Sequence, residues 1–260
     1  MPETIAGHPT AYRHWGQGGR PALALHCSLA HAGAWSGVAT GLPELSLTAP
    51  DLPGHGRSAD LPPGGDLHGL ATAIAAELAE RADGPVDLFG HSFGATVALR
   101  LTVERPDLVR RLVLIEPVLF AIVRGTPEFD DFARVYMAVD AQMDGDPFAA
   151  AALFHKHWGV GDFASLPEMQ RRYMADRMPL VRAQNPVLLE DRPGLTAPGR
   201  LEAINVPVLL LEGAESPAVI GAIHGALAAR IPGARRVSVP GAAHMVPITH
   251  SAAVVAAIRG

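Results

Sequence analysis

The pentapeptide Gly90-His91-Ser92-Phe93-Gly94 sets a serine between two glycines where an apolar strand gives way to a helix. Before it, Pro85-Val86-Asp87-Leu88-Phe89 reads as a buried strand; after it, Ala95-Thr96-Val97-Ala98-Leu99-Arg100-Leu101 reads as a helix. Ser92 therefore falls on the turn. A strand that reverses into a helix within so few residues strains the backbone at the serine and favours glycine at the flanking positions. The serine hydroxyl is expected to stand above the sheet edge. A Gly-x-Ser-x-Gly match arises by chance in a chain of this length on the order of one time in ten. The surrounding sequence has to carry the rest.

Three other stretches do so. Pro21-Ala22-Leu23-Ala24-Leu25-His26-Cys27-Ser28 runs a short strand into His-Cys-Ser, with Trp35 nine positions after the histidine. Asp51-Leu52-Pro53-Gly54-His55-Gly56-Arg57-Ser58 follows a further strand, and Val237-Ser238-Val239-Pro240-Gly241-Ala242-Ala243-His244 ends another in a histidine. With these four motifs in this order, the chain resembles the α/β-hydrolase fold family from about Ala22 to Ile258. The resemblance implies a serine nucleophile at Ser92, a general base at His244, and an oxyanion hole made by the backbone N–H groups of Ser28 and Phe93.

Composition agrees with one sizeable core. The 260 residues are 48% hydrophobic, enough for a sheet flanked by helices in one compact unit. A net charge of −5 supplies no basic footprint for nucleic acid or an anionic membrane. Cys27, the single cysteine, cannot close an internal disulfide. Met1–Trp15 lacks the basic start and apolar centre of a signal peptide, and no apolar run approaches the roughly 18 residues of a membrane span. A cytoplasmic location is expected. The small-molecule substrate is the expected partner, and a homo-oligomer stays open.

Strand-like runs at Ala22–Leu25, Leu45–Ala49, Val86–Phe89, Leu112–Ile115, Val208–Leu211 and Arg236–Val239 are separated by helical patterns at Leu67–Arg81, Ala95–Glu104, Ala218–Arg230 and Ala252–Ile258. This alternation predicts an α/β fold: a mostly parallel central sheet flanked by helices, with ligand at the C-terminal strand ends. Between Leu112–Ile115 and Val208–Leu211 the alternation stops. The predicted organisation is a core of residues 1–117 and 206–260 with a helical cap, residues 118–205, inserted over the site.

The acid that should orient His244 is where the chain departs from the family pattern. The commonest position, three residues beyond the glycine of Gly213-Ala214-Glu215-Ser216-Pro217, holds Ser216. A serine cannot stabilise an imidazolium as a carboxylate does. Glu116, at the end of Leu112-Val113-Leu114-Ile115 beside the nucleophile strand, is the first candidate; a buried carboxylate there needs a partner, and His244 can supply one. Glu215 is the alternative, although a shift of one residue on extended backbone aims it to the opposite side. Cys27 stands where the family usually has glycine, and reads as a small buried hydrophobe rather than a reactive thiol. His26, His55 and His91 read as structural.

His155 and His157 form a His-x-His pair, but on a helix the rings diverge and no carboxylate cluster accompanies them, so no metal is expected. No Gly-x-Gly-x-x-Gly or Gly-x4-Gly-Lys loop occurs, and no cofactor is expected. The expected reaction is hydrolysis of a small-molecule ester, lactone or thioester through an acyl-enzyme. Carbon–carbon bond hydrolysis and cofactor-free haloperoxidation on the same fold are alternatives. A slow or non-catalytic ligand receptor is the alternative of another class.

Overall fold

In the computed structural model, which describes residues 1–260, seven strands form one sheet. They are β3 (Tyr12–Trp15), β4 (Arg20–Leu25), β5 (Leu45–Pro50), β6 (Val86–His91), β7 (Val109–Ile115), β8 (Val208–Gly213) and β9 (Arg235–Val239), in the order β3-β5-β4-β6-β7-β8-β9. Only the β3–β5 pair is antiparallel. A separate hairpin, β1 (Glu3–Ile5) with β2 (His8–Thr10), precedes it. The sequence pattern does not mark the hairpin or β3, because these short, half-exposed runs lack an apolar period.

Residues of the inner strands alternate between two cores, as side chains on a pleated strand must. On one face Leu23, Leu25, Leu88, Leu112, Leu114 and Leu210 pack with α2 (Leu67–Glu80), α3 (Phe93–Glu104) and α9 (Ala218–Arg230). On the other face Ala24, Phe89, Val113, Ile115, Leu209 and Leu211 pack with α1 (Ser36–Thr40) and α11 (Ser251–Arg259). Both faces are covered, which is why these strands read as continuous apolar runs. In α2 the fourfold spacing Leu67, Ala71, Ala75, Ala79 makes the buried stripe, and the Asp66 carboxylate caps its start by accepting from the Gly69 N–H at 2.9 Å.

Between β7 and β8 the chain leaves the sheet. It forms α4 (Pro127–Gln142), α5 (Pro147–Trp158), α6 (Glu168–Asp176), α7 (Met178–Arg182) and α8 (Asn185–Leu188). Val139, Met143, Ala150, Ala151, Met174, Ala175, Met178 and Val181 make a third apolar cluster drawn wholly from this segment. After β9, the short α10 (Val246–Thr249) leads into α11. No helix is long and apolar enough to cross a membrane.

Candidate active site

Ser92 sits between β6 and α3 with φ +55° and ψ −117°, a left-handed backbone that L residues adopt only under constraint. The constraint is visible. The Ser92 N–H donates to the Ile115 carbonyl at 2.9 Å, tying the turn to β7. A Cβ at Gly90 would collide with the Gly94 carbonyl, and one at Gly94 with the Leu25 carbonyl, so both glycines are required by close backbone approach. The helix begins at Phe93, two residues before the sequence pattern places it, because the turn is that tight.

Glu116 repeats the arrangement one strand over. It follows β7 with φ +53°, and its N–H donates to the Leu211 carbonyl of β8 at 2.9 Å. Its side chain is fully buried. Oε2 lies 2.8 Å from His244 Nδ1, and His244 Nε2 lies 2.9 Å from Ser92 Oγ. A carboxylate can only accept, so Nδ1 carries the imidazole proton and Nε2 is left to accept from the serine hydroxyl. Oε1 of Glu116 accepts from the Gly213 N–H at 2.6 Å and from the Ser216 hydroxyl at 2.7 Å. Ser216, standing where the resemblance puts the acid most often, therefore holds the carboxylate that meets His244. Burial pushes the Glu116 carboxyl up, but the His244 hydrogen bond and charge, with the Gly213 and Ser216 donors, outweigh it and hold the pKa below the ordinary glutamate value. Glu215, the alternative acid, points into solvent and makes no contact with His244.

The loop histidines fasten this arrangement. His91 Nε2–H donates to the His244 carbonyl at 2.8 Å, and burial, then the neighbouring His244, pushes its pKa down to about 3. His26 accepts from the Leu52 N–H at 2.9 Å and donates to the Cys27 carbonyl at 2.7 Å. His55 accepts from the Leu29 N–H at 3.1 Å and donates to the Pro53 carbonyl at 2.9 Å. These bonds shape the turn around Ser28, where Leu29 has φ +62°. The N–H groups of Ser28 and Phe93 have no acceptor within the chain. Cys27 is buried and its thiol is pushed up to about 12 by desolvation, which leaves it without thiolate character. Its side chain does not border the cavity beside Ser92.

That cavity is narrow and lies over Ser92, His244 and Ser28. The segment between β7 and β8 supplies most of its wall. Phe120 and Phe132 stack with centroids 3.7 Å apart, and the Trp158 ring lies 4.5 Å from the His244 ring. Trp158 stands out in the sequence as an aromatic of this segment. Tyr136, Gln184 and Asn185 do not, because a polar side chain on a cavity wall has no period or motif to mark it. His155 Nε2 lies 3.2 Å from the Val160 carbonyl and His157 packs edge-on against Trp158, so the pair is not brought together. No group of three or more His, Cys, Asp or Glu side chains is assembled to hold a metal.

The chain is 38% identical over 144 residues to lipase LipV of Mycobacterium tuberculosis, 55% of this chain and 51% of that protein. The chain thus spans about half the length of that relative. It is 30% identical over 236 residues to the pimeloyl-[acyl-carrier protein] methyl ester esterase of Neisseria meningitidis serogroup A, covering 84% of this chain and 70% of that one. Among solved structures, the enol-lactonase of Burkholderia xenovorans LB400 shares the fold with TM-score 0.77 and 21% identity, over all of this chain and 98% of that one. A family model described as "Alpha/beta hydrolase family" matches residues 22–258, and the chain belongs to that family.

Proposed function

We propose that the protein is a carboxylic ester hydrolase that works through an acyl-enzyme on Ser92. The observation that carries this reading is the unbroken hydrogen-bonded chain from Ser92 Oγ through His244 to Glu116, at 2.9 and 2.8 Å. His244 Nε2 takes the Ser92 proton as Oγ attacks the ester carbonyl carbon. The oxyanion forms where the unpaired Ser28 and Phe93 N–H groups can donate to it, and Glu116 balances the imidazolium. Collapse expels the alcohol, which takes its proton from Nε2. Water then gives a proton to His244 and attacks the acyl carbon, and Ser92 leaves with that proton returned.

Esterase and lipase relatives support the reaction type. The cavity supports an uncharged substrate, because its wall holds no arginine or lysine to receive a carboxylate. A complete chain of donors and acceptors also speaks against a receptor with a broken triad. A fluorophosphonate is expected to label Ser92 within minutes, with the adduct located by mass spectrometry. Ser92→Ala is expected to abolish labelling and lower hydrolysis of short p-nitrophenyl esters by several orders of magnitude with the fold intact. Labelling elsewhere, or full turnover in Ser92→Ala, overturns the assignment.

A further inference from the structure

The wall of the cavity is uneven in a way the hydrolysis scheme leaves unused. Most of it is aromatic and aliphatic, but Gln184, between α7 and α8, borders it and is only 2% exposed. Its Oε1 accepts from the Ser28 hydroxyl at 2.9 Å. Its Nε2 has no partner of any kind. A buried amide donor without a partner costs free energy, and where its side chain borders a cavity a ligand can supply the partner. The neighbouring polar pair differs: the Tyr136 hydroxyl donates to Asn185 Oδ1 at 2.7 Å, within the wall.

Position then says what the free donor can meet. Gln184 is bonded to Ser28, the residue whose N–H faces the developing oxyanion in the scheme above, so the carboxamide lies on the Ser28 side of the cavity. A neutral N–H donor among apolar walls suits a neutral acceptor. A carboxylate there would be left without a countercharge.

We propose that Gln184 is a specificity-determining residue whose free amide N–H donates to a second, neutral acceptor oxygen of the substrate close to the scissile ester. The substrate class is then alkoxy-, hydroxy- or oxo-substituted esters in preference to plain alkyl esters of the same size. This rests on the ester hydrolase reading.

The test uses two isosteric pairs in which an oxygen replaces one methylene. On the acyl side these are p-nitrophenyl methoxyacetate and p-nitrophenyl butyrate; on the alcohol side, 2-methoxyethyl acetate and butyl acetate. Each kcat/KM ratio is divided by the ratio for hydroxide-catalysed hydrolysis, which removes intrinsic reactivity. The wild-type protein is expected to show an excess of about three- to tenfold for the oxygenated member of at least one pair, the worth of one neutral hydrogen bond. Gln184→Met is expected to abolish that excess, whatever it does to the rate on the plain ester. No excess in either wild-type pair overturns the proposal even where the variant fails to fold. Equal slowing of both members by Gln184→Met also overturns it, since that is the mark of a side chain that only holds the Ser28 loop. Both results leave the hydrolase reading standing, whereas absence of Ser92-dependent turnover removes both.

Discussion

Ser92 and Glu116 share one backbone solution: each ends a strand in left-handed conformation, and each N–H is anchored to the carbonyl of the next strand. Strain of this kind costs about 1–3 kcal/mol per residue and persists only where the surroundings over-determine it. At Glu116 it delivers a carboxylate to His244 from one strand end while the turn after β8 supplies Ser216 as its support. Glu116→Gln is therefore expected to lower kcat by about 10³–10⁴, since it removes the charge and favours the wrong imidazole tautomer. Glu215→Gln is expected to leave kcat near the wild-type value, its side chain being in solvent. Adding Ser216→Asp to Glu116→Gln is expected to recover part of the rate by returning a carboxylate beside the same ring. Equal, small effects of the two glutamine variants would show that neither glutamate orients His244.

At the scale of elements, α9 carries a defect that points to a stability test. His224 is fully buried and neither ring nitrogen has a partner, and burial pushes its pKa down to about 4. Replacing an unsatisfied polar group by an apolar one of similar shape is neutral or stabilising. His224→Leu is expected to leave stability unchanged or raise it by about 1 kcal/mol at pH 7.5, read from urea unfolding. A loss of more than about 2 kcal/mol would mean that the ring has a partner in solution. The N-cap of α2 gives the opposite sign: Asp66→Ala removes the bond to the Gly69 N–H and is expected to cost about 1 kcal/mol.

Over the whole molecule, the buried histidines set the response to acid. Burial is the main cause that pushes His55 and His224 down to about 4 and His68 and His91 to about 3, and His26 goes down as well. An unfolded histidine titrates near about 6.5. Between these values the unfolded chain binds more protons than the folded one, so stability falls as pH falls. Each such histidine takes away about 1.4 kcal/mol per pH unit, against a total stability of about 5–15 kcal/mol. Urea midpoints are expected to be flat above pH 7 and to drop steeply below about 6. Equal midpoints at pH 7.5 and 5 would refute this.

The elbow, the order of the motifs at strand ends, and the place of His244 after β9 are legible in the residues because they depend on local constraints. Gly90 and Gly94 are dictated by a turn a few residues long, and apolar runs report burial whatever lies across from them. Choosing between Glu116 and Glu215, and finding Gln184, needed the tertiary structure. Which carboxylate meets His244 depends on two left-handed strand ends and a hydroxyl in the turn after a third strand, and whether a glutamine is solvated or sealed against Ser28 depends on residues 156 positions apart. Such contacts are set by packing, and packing between distant segments leaves no period in the chain.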